Sequence, residues 1–174
     1  APNMEVKICS KDPENLPGEI LVKGSNVFLG YYKNEEATAE EFTDDGWFRT
    51  GDMGIIDADG CLFIKGRAKC MILGPSGQNI YPEEVETVLN SQPYVVDSLV
   101  IEDNGGLTAL IYPDFFQGSK DGIRQRDFQS YFDGVLADIN KELPNYAKLK
   151  KIEVMSEDFE RTPKKSIKRY LYQR

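Results

Sequence analysis

Gly46-Trp47-Phe48-Arg49-Thr50-Gly51-Asp52, followed downstream by Gly66-Arg67-Ala68-Lys69, is the stretch on which the reading of this chain turns. It contains more than a turn requires. A surface hairpin needs one glycine or a Gly/Asn pair; this run adds the lone tryptophan of the chain, an Arg-Thr pair and an aspartate. The glycines by themselves fit a well-made turn before a strand. Asp52 serves two readings on its chemistry alone. It is a cap for the turn after Gly51, or it offers two acceptor oxygens to two adjacent hydroxyls. Arg67 taken alone is a surface arginine at a strand end, carrying a permanently charged planar fork.

The surroundings of this stretch are those of an ordinary soluble globular chain. Its 174 residues are 40% hydrophobic and 29% charged, enough for one large domain or two small ones. No apolar run is long enough to span a bilayer. The first residues, Ala1-Pro2-Asn3-Met4-Glu5, show no basic segment followed by an apolar one, so no signal peptide is expected. The absence of an initiator methionine makes a piece of a longer chain the expectation. Cys9, Cys61 and Cys70 have no zinc or redox spacing, and their odd number fits a reducing compartment, hence the cytoplasm. Histidine is absent, which excludes Ser-His and Cys-His nucleophilic catalysis and any histidine metal site within the chain.

The net charge of −8 is uneven. Residues 1–66 hold 6 Lys/Arg against 13 Asp/Glu, whereas residues 161–174 hold six basic residues and no acid. The acidic bulk argues against nucleic acid as a partner. The basic end suits a local anion such as a nucleotide phosphate, or is a solvated charged tail. No amphipathic basic helix calls for more than peripheral membrane contact.

Turn chemistry and periodicity divide the chain. Val6–Cys9 and Glu19–Lys23 read as strands, and Asn34 caps a helix running to Phe42. Met53–Ile56 and Leu62–Ile64 form a hairpin across Asp57-Ala58-Asp59-Gly60. This first third is too small to bury much core alone and reads as the end of a larger domain. A strand at Met71–Leu73 then precedes a glycine-bearing loop, Gly74–Asn79. Pro82 opens a helix carrying Val85, Val88 and Leu89. Tyr94–Ile101 and Leu107–Tyr112 make a second hairpin. Phe128, Phe132, Val135, Leu136 and Ile139 form a core-facing helical stripe that Leu143-Pro144 ends. Lys151–Met155 is a last strand, and Ile167–Tyr172 a helical turn. The expected fold class is α+β: a strand-rich segment over residues 1–66, then a compact α+β domain over residues 67–174.

In order along the chain stand Gly18-Glu19-Ile20-Leu21-Val22-Lys23-Gly24, Gly30-Tyr31-Tyr32, Glu36-Ala37-Thr38, the opening stretch, and Gly77-Gln78-Asn79-Ile80-Tyr81-Pro82-Glu83-Glu84-Val85-Glu86. This series resembles the adenylate-forming enzymes: acyl-CoA synthetases, aryl-CoA ligases, luciferases and adenylation domains. The last motif is most similar to the long-chain fatty acid–CoA ligase branch. The resemblance implies a reaction in two halves, with ATP, Mg2+ and coenzyme A. A fatty acid carboxylate attacks the α-phosphate of ATP, and a thiol then displaces AMP. It also implies that residues 67–174 are the mobile C-terminal domain and that the chain's own N-terminal domain is its partner.

By the same resemblance, Asp52 and Arg67 bind the ribose of ATP or AMP, and Lys69 is the hinge. Gly74, Ser76 and Gly77 line the pantetheine channel, where a glycine lets backbone approach a thin ligand. The family's closing motif is a proline, a few residues, then Gly-Lys, an apolar residue, any residue and Arg, with the lysine steadying charge during adenylation. This chain has Arg161-Thr162-Pro163-Lys164-Lys165-Ser166-Ile167-Lys168-Arg169, which puts Ser166 in the lysine position. Lys165 or Lys168 is then the catalytic candidate, or both belong to the solvated tail. No phosphate loop followed by lysine occurs in the chain, so inactivity is expected of these residues alone. A domain that loads a carrier protein, and a non-catalytic interaction module of the same fold, are the alternatives.

Overall fold

Motifs that look continuous in the sequence fall into two separately packed units, Ala1–Met71 and Ile72–Arg174. The computed structural model describes residues 3–74 and 77–174.

The first unit is an antiparallel meander of β1 (Met4–Cys9), β2 (Gly18–Gly24), β3 (Phe48–Ile56) and β4 (Leu62–Arg67). One short helix, α1 (Glu35–Glu41), interrupts it, and Asn34 caps that helix by accepting the Ala37 N–H at 3.0 Å. The core is thin. Ile8, Ile20 and Leu21 are its buried hydrophobic residues, and Phe28, Phe42 and Phe48 add a tilted and edge-on ring cluster. Leu62, Phe63 and Ile64 of β4 stay exposed. Residues 68–70 continue β4 as a 3-10 turn packed on β3, so a domain junction at 66/67 falls inside a strand of this unit.

The second unit opens with a small hairpin, β5 (Ile72–Leu73) with β6 (Asn79–Ile80), and then α2 (Pro82–Asn90). Its main sheet is β7 (Val95–Asp103), β8 (Gly106–Pro113) and β9 (Leu149–Val154), with β7 antiparallel and β9 parallel to the central β8. Asn104 (φ 51°) and Gly105 (φ 70°) make the β7–β8 turn with two left-handed residues, the geometry that Asn-Gly suits. The crossover to β9 holds α3 (Phe115–Lys120) and α4 (Phe128–Glu142).

Both faces of this sheet are covered, which is why β7 and β8 read as nearly continuous apolar runs. Val100, Ala109, Ile111 and Ile152 pack with Val85, Leu89, Phe128, Phe132 and Ile139 of the helices. Leu99, Ile101 and Leu110 pack instead with Phe159, Ile167 and Tyr172 of the closing segment. The outer edge of β9 is closed by two amides of α4. Gln129 donates to Ile152 O (2.8 Å) and accepts from Val154 N–H (3.0 Å), and Asn140 makes the same double contact with Leu149. These side chains replace the strand that an open edge would otherwise recruit.

Several expectations are amended here. Helix α3 is absent from the sequence reading, and the Gly74–Asn79 loop is shorter than expected because Asn79 pairs with Leu73 in the small hairpin. The basic end is not a solvated tail. Arg161 pairs with Asp97 and Asp158, Lys168 with Glu160, Arg169 with Glu86, and Arg174 with Glu153 and Asp103. Acids outside residues 161–174 thus pair with Arg161, Lys168, Arg169 and Arg174, and those from α2, β7 and β9 are too distant in sequence for a scan of local charge to see.

One of these pairings has a pH consequence. Glu153 receives a bidentate fork from Arg174 (3.0 and 2.6 Å) and the Lys151 ammonium at 2.7 Å. Arg174 first, then Lys151, hold its carboxyl down from 4.5 to about 2. A depressed carboxylate contributes stability above its unfolded value, lost as pH falls from about 4.5 to about 2. E153Q is expected to be less stable at pH 7 and to lose less stability over that acid window, as read by thermal melting at successive pH values.

Candidate active site

Asp52 is displayed by a bulge. β2 and β3 pair at Leu21↔Arg49 and again at Glu19↔Met53. Between these pairs β2 spends only Ile20, whereas β3 spends Thr50, Gly51 and Asp52. A bulge of this kind re-aims side chains at sheet edges and active sites. The motif residues build it. The Thr50 hydroxyl donates to Ile20 O (2.8 Å) and accepts from Asp52 N–H (3.1 Å). Gly51 takes φ 68°, which a side chain resists, and its N–H points to Glu19. Arg49 pairs with the other oxygen of Glu19 at 2.9 Å.

Across the β3–β4 ladder Asp52 faces Arg67. Arg67 Nε lies 3.0 Å from Asp52 Oδ1, and its Nη1 donates to Thr50 O at 3.1 Å. The guanidinium thus ties the carboxylate to the bulge. Among the described residues no side chain occupies Asp52 Oδ2. The arrangement is an oriented, half-exposed carboxylate with one oxygen held and one available, beside an exposed cation.

Lys69 sits on the 3-10 turn Ala68–Cys70, exposed, just before the break between the two units at Met71/Ile72. Gly74 and Gly77 shape the small hairpin of the second unit. Gly74 N–H donates to Gln78 O (2.8 Å), Gly77 N–H to Gly74 O (2.9 Å), and Gly77 takes φ 79°. Ser76 lies outside the described residues. This hairpin forms one wall of a groove of about 470 Å³. Glu102 at the end of β7, Gly105 of the β7–β8 turn, and Asn145, Tyr146 and Lys148 are among its other lining residues.

Residues 161–167 form a second small hairpin, with Arg161 bridged to Ile167. Thr162 N–H donates to Ser166 O and Lys165 N–H to Thr162 O, both at 2.8 Å. Lys165 closes the turn in the left-handed region at φ 66°, a position that glycine takes without cost. Its side chain and that of Lys164 are exposed at the tip and have no ion pair among the described residues. Ser166 is also exposed. Lys168 is drawn aside by Glu160, 3.0 Å away, which raises the pKa of its ammonium.

With this geometry in view, the comparisons with known proteins are specific. The family model described as AMP-binding enzyme C-terminal domain matches residues 71–174. The chain belongs to the AMP-binding, adenylate-forming enzyme family. The long-chain-fatty-acid–CoA ligase FadD15 of Mycobacterium tuberculosis is 34% identical over 172 residues, covering 87% of this chain and 28% of that protein. A 2-succinylbenzoate–CoA ligase of Bacillus cytotoxicus is 46% identical over 89 residues, 51% of this chain and 18% of its own length. The solved O-succinylbenzoate coenzyme A synthetase of Bacillus subtilis, in complex with ATP and magnesium ion, matches with TM-score 0.76 and 31% identity. That match covers 97% of this chain and 33% of the synthetase. The chain therefore spans about a third or less of the length of its adenylate-forming relatives.

Within this chain the residues singled out from sequence fall in three places. Asp52 and Arg67 are brought together; Gly74 and Gly77 shape one groove wall; Lys165 and Lys168 lie on or beside the closing hairpin and point to different fates. Sequence reasoning missed Thr50 as the residue that closes the bulge, and Glu86 as the anchor of Arg169. Thr50 carried a signal, a hydroxyl placed before Gly-Asp. Glu86 carried none, because its partner lies 83 residues away.

Proposed function

We propose that this chain is the C-terminal part of an ATP-dependent acyl-CoA ligase, an acid–thiol ligase that joins a fatty acid, of the long-chain class, to coenzyme A. The observation that carries this reading is the Asp52–Arg67 pair on its bulge, with one carboxylate oxygen anchored and the other open. In the first half-reaction a carboxylate oxygen of the acid bonds to the α-phosphorus of ATP, and the bond to pyrophosphate breaks. Asp52 Oδ2 accepts from the ribose hydroxyls, and Arg67 lies beside the nucleotide oxygens. In the second half-reaction the CoA sulfur bonds to the acyl carbon and AMP leaves.

The groove beside Gly74 suits the thiol cosubstrate. It has Gly74 in one wall, and Lys148, Asn145 and Tyr146 among its lining residues could serve a phosphorylated arm. Lys69, on a single helical turn before the second unit, is placed to absorb a rotation of that unit between the two steps. Among the described residues no group of three or more His, Cys, Asp or Glu could hold a metal ion. In this reading Mg2+ belongs to the N-terminal domain. Three free cysteines fit a reducing cytoplasm. Among the described residues no helix is long and apolar enough to cross a membrane.

The full-length enzyme should form acyl-CoA from fatty acid, ATP and CoA, with AMP release that depends on added CoA. The 174-residue chain alone should form none. Turnover by the isolated chain would contradict the reading. AMP release by the full-length protein without any thiol requirement would favour an enzyme that stops at the adenylate.

A further inference from the structure

The closing hairpin is bolted to the second unit at both legs. On one leg, Arg161 Nη2 lies 2.7 Å from Asp97 of β7 and 3.0 Å from Asp158, and its Nη1 reaches Lys165 O at 3.3 Å. On the other leg, Arg169 places its guanidinium on Glu86 of α2, both nitrogens of the fork against both oxygens. Glu86 is 8% exposed. Its Oε1 also accepts the Val100 N–H at 2.7 Å, so one carboxylate joins α2, β7 and the closing segment. Ile167 and Tyr172 pack beneath on Leu99, Ile101 and Leu110. Burial is the dominant influence on the Glu86 carboxyl and pushes its pKa up, against the pull of Arg169. Such a carboxylate is costly to keep in place unless its partner's geometry is maintained. The arrangement exceeds what a surface tail needs, and what it holds is a left-handed turn whose tip carries two lysines with no ion pair among the described residues.

We propose that Glu86, Arg169 and Arg161 are positioning residues whose two carboxylate–guanidinium clamps present the Lys164–Lys165 tip to the anionic centre of the adenylation half-reaction. This rests on the functional reading above. A lysine is a poor substitute for either arginine, because one ammonium cannot reproduce a planar fork that engages two oxygens. R169K keeps the charge and loosens the leg.

In the full-length enzyme, R169K is expected to lower kcat of ATP–pyrophosphate exchange by about 10- to 100-fold, the scale of a small misplacement of a reacting group. The KM for ATP should stay within about twofold, as should transfer of a preformed acyl-adenylate to CoA. Amide hydrogen exchange should quicken at residues 162–168 while β7 and β8 remain protected. R161K, at the more exposed leg, should show the same selective pattern in weaker form, and it decides the matter if R169K fails to fold. Equal loss of both half-reactions in R161K, or unchanged kcat and unchanged hairpin protection, would overturn the proposal. A wild-type enzyme without pyrophosphate exchange would overturn the functional reading instead, and hairpin protection would still test the clamps.

Discussion

Replacing Asp52 with alanine in the full-length enzyme is expected to lower ATP–pyrophosphate exchange by about two orders of magnitude or more. Hydrogen bonds to a charged group contribute about 1.5–3 kcal/mol each, and a carboxylate facing two ribose hydroxyls makes two. About 1.4 kcal/mol corresponds to a tenfold change, so losing both, about 3–6 kcal/mol, gives a loss of about a hundredfold at the least. A further loss follows from Arg67, whose Nε faces Asp52 Oδ1 at 3.0 Å and would keep its Nη1 bond to Thr50 O without the carboxylate that orients it. The fold should feel little of this. The two side chains are 30% and 61% exposed, and ion pairs at such sites contribute about 0–1 kcal/mol. A D52A protein that melts near wild type yet barely adenylates is therefore the expected result. D52N, which keeps one acceptor oxygen and loses the charge, should fall between. Exchange within about threefold of wild type in D52A would return Asp52 to the role of a turn residue, since that is under 1 kcal/mol.

Much of this site was visible in the chain as residue types at fixed spacing. Gly51 declares a left-handed position, Asp52 an acceptor, and Arg67 a fork one hairpin away. Their meeting needed only the antiparallel pairing that Asp57–Gly60 predicts, and Asp52 does face Arg67 across it. The bulge itself was not legible. It depends on β2 spending one residue where β3 spends three, a mismatch between strands separated by α1. The same holds at the C-terminal end. Local counting finds six cations and no anion, whereas Glu86, Asp97 and Glu153 arrive from α2, β7 and β9 respectively. Turn geometry at Lys165 was hidden for a different reason: the left-handed position is marked in most sequences by glycine, and here a lysine holds it. That placement leaves Ser166 without a cation of its own.

The largest expected effect on stability comes from a residue the sequence did not single out. Gly118 lies in α3, and a Cβ placed there would stand 2.3 Å from Phe128 Cζ and 2.9 Å from Cε2. Phe128 cannot yield. Its ring is fully buried, edge-on to Phe115 at 5.2 Å and to Tyr94 at 6.2 Å, with Phe132 also at 6.2 Å. In an open helix, Gly to Ala would gain about 1 kcal/mol. Here the methyl must push α3 off the core or force the ring from its rotamer, and overpacking of this kind costs about 1–3 kcal/mol or more. G118A is therefore expected to destabilise the second unit despite its better helix propensity, and F128A to cost about 3–5 kcal/mol through the cavity it leaves. The two positions should be coupled. In G118A/F128L the shorter side chain vacates the space the methyl needs, so the double variant should be more stable than the sum of the single changes by about 1–3 kcal/mol. Urea denaturation of wild type, G118A, F128L and the double variant measures this directly. A G118A protein as stable as wild type, with additive losses in the double variant, would mean that α3 is free to shift and that the crossover is less tightly locked to the sheet than its packing shows.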